Sequence, residues 1–333
     1  MSGPASGKFA ACSVMRVPGI LGLNLRNLVP LRRGTRHTLE LCLSEQSGFL
    51  HRPHQVDECD SSDFERQRRL TTVSDVCAWL QQQFPVELAE GWDNTGLLLG
   101  RRTSAVDRML TCLTLTSEVA EEAVRESCQM VITHHPVLFR PVQQITDQTN
   151  EGRTLLRLIE SGVSVYSPHT SFDSAADGIN QSLAQSIGLT QIRPLQASDQ
   201  SPDTGAGRYG ELEPPQSLEE VLERVAGVTS TNWLKVARSG QSPVRRIAIG
   251  CGAAEGFLRD AERLGCDCFV TGEARFHTVL AARSAGIHLI LTGHYSSERP
   301  AVVRLAERLS ESFPGTECFA SQAERNPIDL FQL

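Results

Sequence analysis

The sequence predicts an α/β fold made of two βαβ-containing halves with mainly parallel sheets. From residue 71 onward, short apolar runs alternate with helical patterns, as in parallel sheets connected by helices. Two strand–helix–strand intervals, one starting at Met109 and the other at Ile247, have the same length and a similar order of elements, although any two βαβ units share such a pattern. A stretch rich in Pro, Ser, Gly and Asp, residues 194–217, separates the halves.

The individual elements follow from caps and apolar runs. Ser74 is a candidate N-cap for a helix through Phe84, and Ser117 and Ser217 are candidate caps for two later helices. A last helix is expected to start near Glu298, with Pro300 in its first turn. Further helices are predicted at 152–161, 177–187, 255–264 and 277–285, and strands at 97–99, 109–115, 130–133, 163–167, 233–237, 246–250, 268–271 and 288–291.

Four segments are expected along the chain. They are an N-terminal extension (1–70), a first α/β half (71–190), connecting elements (191–245) and a second α/β half (246–325). The extension is poor in acidic residues at its start, which resembles an organelle transit peptide. A disordered extension and an unused upstream start codon are the alternatives, and we favour these two.

Composition excludes several classes of protein. The 333 residues are 40% hydrophobic and 21% charged, with a net charge of −7, as in ordinary globular proteins. The acidic balance argues against nucleic acid as a partner, and no apolar run is long enough to predict a membrane span. The ten cysteines form no CxxC pair, so we expect reduced thiols and a cytoplasmic location.

Histidines gather at one edge of the predicted sheets. Outside residues 1–70 there are six, and His288, at the start of a strand, is interpreted as structural. The other five follow the carboxyl end of a strand or lie in the helix turn after it; they are His134, His135, His169, His277 and His294. Ligands of open α/β sheets bind outside the carboxyl ends of the strands, so this edge is where we expect a site.

Three polar clusters at this edge suggest metal ligands. His134 and His135 are adjacent on a loop, and Asp173 follows His169 by four residues. His294 and Glu298 are also four residues apart, a spacing that places both on one face of a helix. Each cluster alone also has a structural explanation: a surface pair, a turn residue, or a glutamate favoured by the helix dipole. Their convergence on one edge favours a site over these explanations.

The ligand set predicts the type of metal. Three imidazoles and two carboxylates without a thiolate suit two divalent ions (Zn, Mn, Fe or Co) rather than a structural zinc site. Five protein ligands leave coordination positions open, as hydrolysis by activated water requires. His169, Glu273 and His277 are then candidate acid–base or catalytic residues.

Several ordered motifs resemble the NIF-three-like family, the type 2 homologues of GTP cyclohydrolase I. The resemblance covers about residues 71–325. The motifs are Gly91-Trp-Asp-Asn-Thr-Gly96, Thr133-His-His-Pro136, Ser167-Pro-His-Thr-Ser-Phe-Asp173 with Asp177-Gly-Ile-Asn180, Thr271-Gly-Glu273 with His277, and Gly293-His-Tyr-Ser-Ser-Glu298. Relatives more often have Gly-Asp where this chain has Gly272-Glu273, and the domain that some relatives insert between the halves is absent here.

The resemblance implies a dinuclear metal site between the two halves and a toroidal homohexamer. In such a site His134 binds one metal and His135 the other, Asp173 joins the second metal, and Glu298 bridges the pair, with His294 as a further ligand.

Two functions from different classes are compatible with these features. The first is a dinuclear metal-dependent hydrolase acting on a nucleotide-like or phosphorylated small molecule, with GTP as the named candidate. The second is a non-catalytic scaffold or metal-handling protein that binds other proteins. No P-loop or other guanine-specific motif is present. DNA binding by a hexameric ring is a third hypothesis, against which the acidic body argues.

Overall fold

The computed structural model describes residues 70–329 and residue 331. All of them belong to one of the two compact units into which the chain divides, Asp60–Leu333. The expectations for the N-terminal extension therefore concern residues outside the described part, except for Leu70.

Thirteen strands and nine α-helices follow one another in the described residues. The strands are β1 (Gly96–Leu99), β2 (Arg108–Cys112), β3 (Met130–Thr133), β4 (Ser164–Ser167), β5 (Thr190–Arg193), β6 (Gln196–Ala197), β7 (Gly205–Ala206), β8 (Arg208–Gln216), β9 (Lys235–Ala237), β10 (Val244–Gly250), β11 (Cys268–Thr271), β12 (His288–Leu291) and β13 (Glu317–Ala320). The helices are α1 (Val73–Gln83), α2 (Ser117–Arg125), α3 (Asn150–Glu160), α4 (His169–Ser174), α5 (Ile179–Ile187), α6 (Leu218–Val228), α7 (Leu258–Arg263), α8 (Phe276–Ser284) and α9 (His294–Ser312).

Two sheets with parallel centres confirm the predicted α/β class. The first has the order β1-β4-β3-β2-β13, and only its β1–β4 pair is antiparallel. The second has the order β5-β8-β10-β11-β12-β9, with parallel pairing from β10 to β12 and antiparallel strands at the edges. The short pair β6–β7 stands apart.

The segment 191–245 contributes to the second sheet. Strands β8 and β9 lie in it and pair with β10 and β12. Strand β8 runs through Pro214 and Pro215, which mask its pattern in the sequence because proline usually marks turns. Likewise β13, near the end of the chain, returns to the first sheet and pairs in parallel with β2.

Helix α9 links the two sheets. It begins directly after β12 of the second sheet, yet it packs on β2 and β13 of the first sheet and on α5. Its buried residues include Ala301, Leu305 and Leu309, which join the core cluster beneath α1. Residues in the first turn of α9 therefore follow a strand of the second sheet and lie close to the carboxyl edge of the first sheet.

Helix boundaries differ slightly from the predictions. Thr72 rather than Ser74 caps α1, because its hydroxyl oxygen accepts from Asp75 N while the Asp75 carboxylate accepts from Thr72 N. Thr116 rather than Ser117 caps α2. Ser217 caps α6 as predicted, in a capping box with Glu220.

The last helix starts earlier than predicted. Helix α9 begins at His294, not near Glu298, and Pro300 lies inside it rather than in its first turn. His294 and Glu298 therefore share a helical face, as their spacing predicted.

No helix in residues 70–329 has both the length and the apolar character that a membrane crossing needs. The cysteines within this range, including Cys266 and Cys268, are all free thiols.

Candidate metal centre

The tandem histidines stand just past the end of β3. The backbone beyond the strand is still fixed, because His134 N donates to Cys112 O at 2.9 Å and His135 N donates to Leu113 O at 2.9 Å. Ser167 Oγ, at the end of the neighbouring β4, donates to His134 O at 2.7 Å. These bonds hold the two imidazoles in place at the carboxyl edge of the first sheet.

His134 is a buried, neutral imidazole. Burial lowers its pKa well below the usual range for histidine. Its Nε2 lies 3.7 Å from Asp173 Oδ1, and its Nδ1 is buried without a hydrogen-bond partner. A neutral imidazole is the form that binds a metal. A buried nitrogen without a hydrogen-bond partner is uncommon in folded proteins.

Glu298 lies between the other two imidazoles. Its Oε2 is 3.3 Å from His135 Nε2 and 3.2 Å from His294 Nε2. This oxygen is buried, and neither approach has hydrogen-bond geometry. Burial alone would raise the pKa of Glu298, but the neighbouring imidazoles outweigh it and hold the pKa far below its ordinary range. An ionised carboxylate oxygen thus faces two imidazole nitrogens.

The contact with Glu298 also changes the pKa of His294. In the absence of a metal, its contact with Glu298 raises its pKa to about 9, against the opposing effect of burial. Its Nδ1 lies 3.6 Å from Glu273 Oε1. Glu273 therefore neighbours a ligand candidate, but its side chain is 52% exposed and does not line the cavity.

Gly252 makes room for the Glu298 carboxylate. A Cβ at this position would lie 2.2 Å from Glu298 Oε1 and 3.2 Å from His294 Nε2. Its φ is +65°, a conformation that residues with a side chain rarely adopt. The loop after β10 therefore requires glycine for two independent reasons.

His169 has a strained backbone and a fixed ring. Its φ is +30°, which is uncommon for a residue with a side chain and is often found at functional sites. Its Nδ1 donates to Asp93 Oδ1 at 2.7 Å, so its Nε2 is left for a ligand or a proton. Although burial opposes it, hydrogen bonds from Thr170 and His169 lower the pKa of Asp93.

A hydrogen-bond chain runs from His135 to helix α9. Thr114 Oγ1 lies 2.8 Å from His135 Nδ1, and Thr114 N donates to Glu324 Oε1 at 2.7 Å. Glu324 Oε2 in turn lies 3.0 Å from Arg299 Nε, in an ion pair shielded from solvent. The orientation of His135 is thereby tied to the helix that carries His294 and Glu298.

The structure brings most of the predicted site residues together. Two groups of ligand atoms, each within 4.8 Å of one another, can hold a metal ion: His134, His135 and His169 in one, and His135, His294 and Glu298 in the other. Asp173 adjoins the first group through His134. All of these residues line one cavity of about 720 Å³. The buried Glu298 Oε2, which has no hydrogen-bond partner, fits a cation there.

His277 is the exception. It lies exposed on α8, its ring contacts Phe276 with centroids 6.0 Å apart, and it does not line the cavity. Its catalytic role stays a prediction, as do those of His169 and Glu273.

Sequence reasoning missed three supporting residues. Thr114 and Gly252 lie in loops with no pattern that marks them. Asp93 lies in the Gly-Trp-Asp-Asn motif, but a turn rich in Gly, Asp and Asn gives no sign that its carboxylate contacts a residue 76 positions later.

This α/β scaffold with a histidine–carboxylate cluster between two sheets has known relatives. The family model for Duf34/NIF3 (NGG1p interacting factor 3) matches residues 71–327. The chain belongs to this family.

Individual relatives agree with this assignment. A Clostridium acetobutylicum protein named "GTP cyclohydrolase 1 type 2 homolog" is 33% identical over 238 residues, covering 71% of this chain and 89% of the relative. A Schizosaccharomyces pombe protein named "Protein NIF3 homolog" is 36% identical over 240 residues, covering 68% and 85%. A solved Bacillus cereus structure related to NIF3 has a TM-score of 0.73 at 18% identity, covering 79% of this chain and all of that one, and shows the shared fold.

Proposed function

We propose that this protein is a metal-dependent hydrolase of small molecules whose site holds two divalent cations. One observation carries the proposal: the buried Glu298 Oε2 lies 3.3 Å and 3.2 Å from the imidazole nitrogens of His135 and His294, within the same cavity as His134 and Asp173. Oxygen and imidazole ligands without a thiolate favour Zn, Mn, Fe or Co.

The chain offers ligands for each cation. The resemblance assigns Asp173 to the metal of His135, but Asp173 Oδ1 lies 3.7 Å from His134 Nε2, so we assign His134 and Asp173 to one cation. His135 and His294 would then hold the other, and Glu298 is suited to contact both. Divalent cations held there would supply activation of water as a nucleophile and stabilisation of negative charge on an attacked oxygen. Five protein ligands cannot complete two coordination shells, so the site keeps room for water and substrate.

His169 is the best-placed proton carrier. The Asp93 carboxylate fixes its Nδ1 and its tautomer, which leaves Nε2 directed away from that contact. In this arrangement Asp93 positions His169. Glu273 is a second, more exposed candidate because it neighbours His294. Alternatively, His169 is a metal ligand beside His134 and His135. His169→Gln would lower the metal content if His169 is a ligand, and would leave it unchanged if His169 only carries a proton.

The name of the relatives gives the first substrate to test. Purified protein carrying both metals is incubated with GTP, and formate and the pterin precursor are measured. Any turnover should disappear in His169→Gln while the metal content is retained. If the protein with both metals bound does not turn over GTP, the cyclohydrolase hypothesis is rejected. A panel of other small hydrolysable compounds then tests the wider class of hydrolases.

One observation favours a metal-handling role as the alternative. The His294 side chain is 35% exposed and Asp173 is 27% exposed, so ions at this site are within reach of solvent and of exchange. Exchange of an isotopically labelled ion within minutes, together with transfer to a metal-free acceptor protein, would support this role. Ions that stay bound for hours would count against it.

We also propose a homohexamer and a cytoplasmic location, as the resemblance and the reduced thiols suggest. Sedimentation of the purified protein tests the first, and imaging of the tagged full chain tests the second.

A further inference from the structure

Two exposed aromatic rings stand at the mouth of the candidate metal centre. Trp92 is 61% exposed and Phe139 is 46% exposed, yet both line the cavity. Their ring centroids are 5.9 Å apart at an interplanar angle of 68°, and each ring lies 6.2 Å from the ring of His169. An apolar surface left open beside polar site residues is typical of a ligand-binding patch.

The backbone beneath both rings is held in place. Asn94 Nδ2 donates to Leu138 O at 2.6 Å, which ties the turn of Trp92 to the segment of Phe139. Thr170 N donates to Asp93 Oδ2 at 3.1 Å, which ties the same turn to α4. The aromatic pair is therefore organised before any ligand binds, so less ordering opposes binding.

The cavity offers no basic side chain to a phosphate. Of the described residues that line it, none is lysine or arginine, whereas Glu90, Asp173 and Glu298 are carboxylates. Arg208 follows the lining residue Gly207, but its side chain is fully buried.

The guanidinium of Arg208 makes hydrogen bonds to backbone carbonyl oxygens of the protein itself. Its Nη1 donates to Gly205 O at 2.6 Å and to Gly207 O at 2.7 Å, and its Nη2 donates to Ala175 O at 2.6 Å. It is therefore not free to bind an anion, and a polyphosphate chain reaching past the cations would meet carboxylates.

We propose that Trp92 and Phe139 select a planar heteroaromatic ring that bears N–H groups and no polyphosphate, with one of the two side chains stacking on its face and the other contacting its edge. The rings supply the apolar surface, and the Glu90 carboxylate at the rim supplies an acceptor for ring N–H groups. The proposal rests on the proposed function for the reaction that follows, but the recognition step is a binding event that can be measured without turnover.

The test measures binding to zinc-loaded full-length protein by calorimetry. Guanosine serves as a ring with N–H groups and no phosphate, and ribose 5-phosphate as a phosphate with no ring. We expect guanosine to bind more tightly than ribose 5-phosphate. Trp92→Leu should weaken guanosine binding by about 5- to 150-fold, the range found for loss of base–aromatic stacking, and Phe139→Leu should weaken it less. Trp233→Leu, at a tryptophan outside this cavity, is the matched control and should leave binding unchanged.

Four results would overturn the proposal. The first three are tighter binding of ribose 5-phosphate than of guanosine, equal guanosine affinity in Trp92→Leu and Trp233→Leu, and a change in the sedimenting mass of Trp92→Leu, which would make the pair a subunit contact. Absence of guanosine binding by protein with full metal content would do the same. Guanosine binding without turnover of any tested substrate would instead count against the hydrolase function alone.

Discussion

Thr114→Val tests whether the hydrogen bond behind His135 matters to metal binding. Valine has nearly the same shape as threonine, so the change removes the hydroxyl 2.8 Å from His135 Nδ1 and little else. The backbone bond from Thr114 N to Glu324 Oε1, at 2.7 Å, remains. For His135 Nε2 to bind a metal, the proton must reside on Nδ1, where Thr114 Oγ1 accepts it.

The expected size of the effect follows from this single contact. Loss of a group that orients a metal-binding histidine typically lowers metal affinity about 10- to 100-fold, which corresponds to about 1.4–2.7 kcal/mol. The free energy of unfolding of the metal-free protein should fall by only about 1 kcal/mol, because one hydrogen bond is lost and no cavity forms.

The assay is competition for zinc against a chelator of known affinity, alongside urea unfolding of the metal-free protein. Thr190→Val is the matched control, since it removes a hydroxyl that donates to Glu211 O at 3.2 Å, remote from the cluster. Wild-type zinc affinity in Thr114→Val would refute the reasoning. A loss equal to that of the control would refute it as well.

Three further predictions concern the metal-free centre and the scaffold. Because the pKa of His294 is raised to about 9 without a metal, its imidazole is protonated at pH 7.5. Zinc uptake should therefore release about one proton, and the zinc affinity should increase toward pH 9. Equal binding enthalpies in buffers of different ionisation enthalpy would contradict this prediction. Gly252→Ala should lower zinc affinity about tenfold or more, because its Cβ would lie 2.2 Å from Glu298 Oε1, whereas Gly256→Ala, with open space around it, should not. Ser217→Ala should lower the free energy of unfolding by about 1 kcal/mol in urea without changing metal content, and unchanged stability would mean that its capping box is not formed in solution.

The sequence predicted the parallel centres of the fold because local patterns specify them. The interval from Met109 to Met130 matches that from Ile247 to Cys268, and in each case the two residues are direct neighbours on parallel strands. The strands β8 and β13 escaped prediction because long-range pairing, not local propensity, forms them.

The site was predictable to a similar extent. His294 and Glu298 are recognisable from spacing alone, since a helix places residues four apart on one face. Asp93, Thr114 and Gly252 act through contacts with residues far along the chain, which no spacing rule reveals. His288, interpreted as structural, accepts a hydrogen bond from Ser239 N at 2.9 Å. The exposed position of His277 depends on how α8 packs, which its sequence does not specify.

The metal content of Glu298→Gln tests the central claim most directly. Glutamine keeps the shape of the side chain but removes the charge that lies between His135 and His294. We expect two ions per chain in the wild type by elemental analysis, fewer than one in Glu298→Gln, and two in Glu307→Gln, an exposed control on the same helix. Full metal content in Glu298→Gln, or none in the wild type after loading, would contradict a two-metal centre built around Glu298.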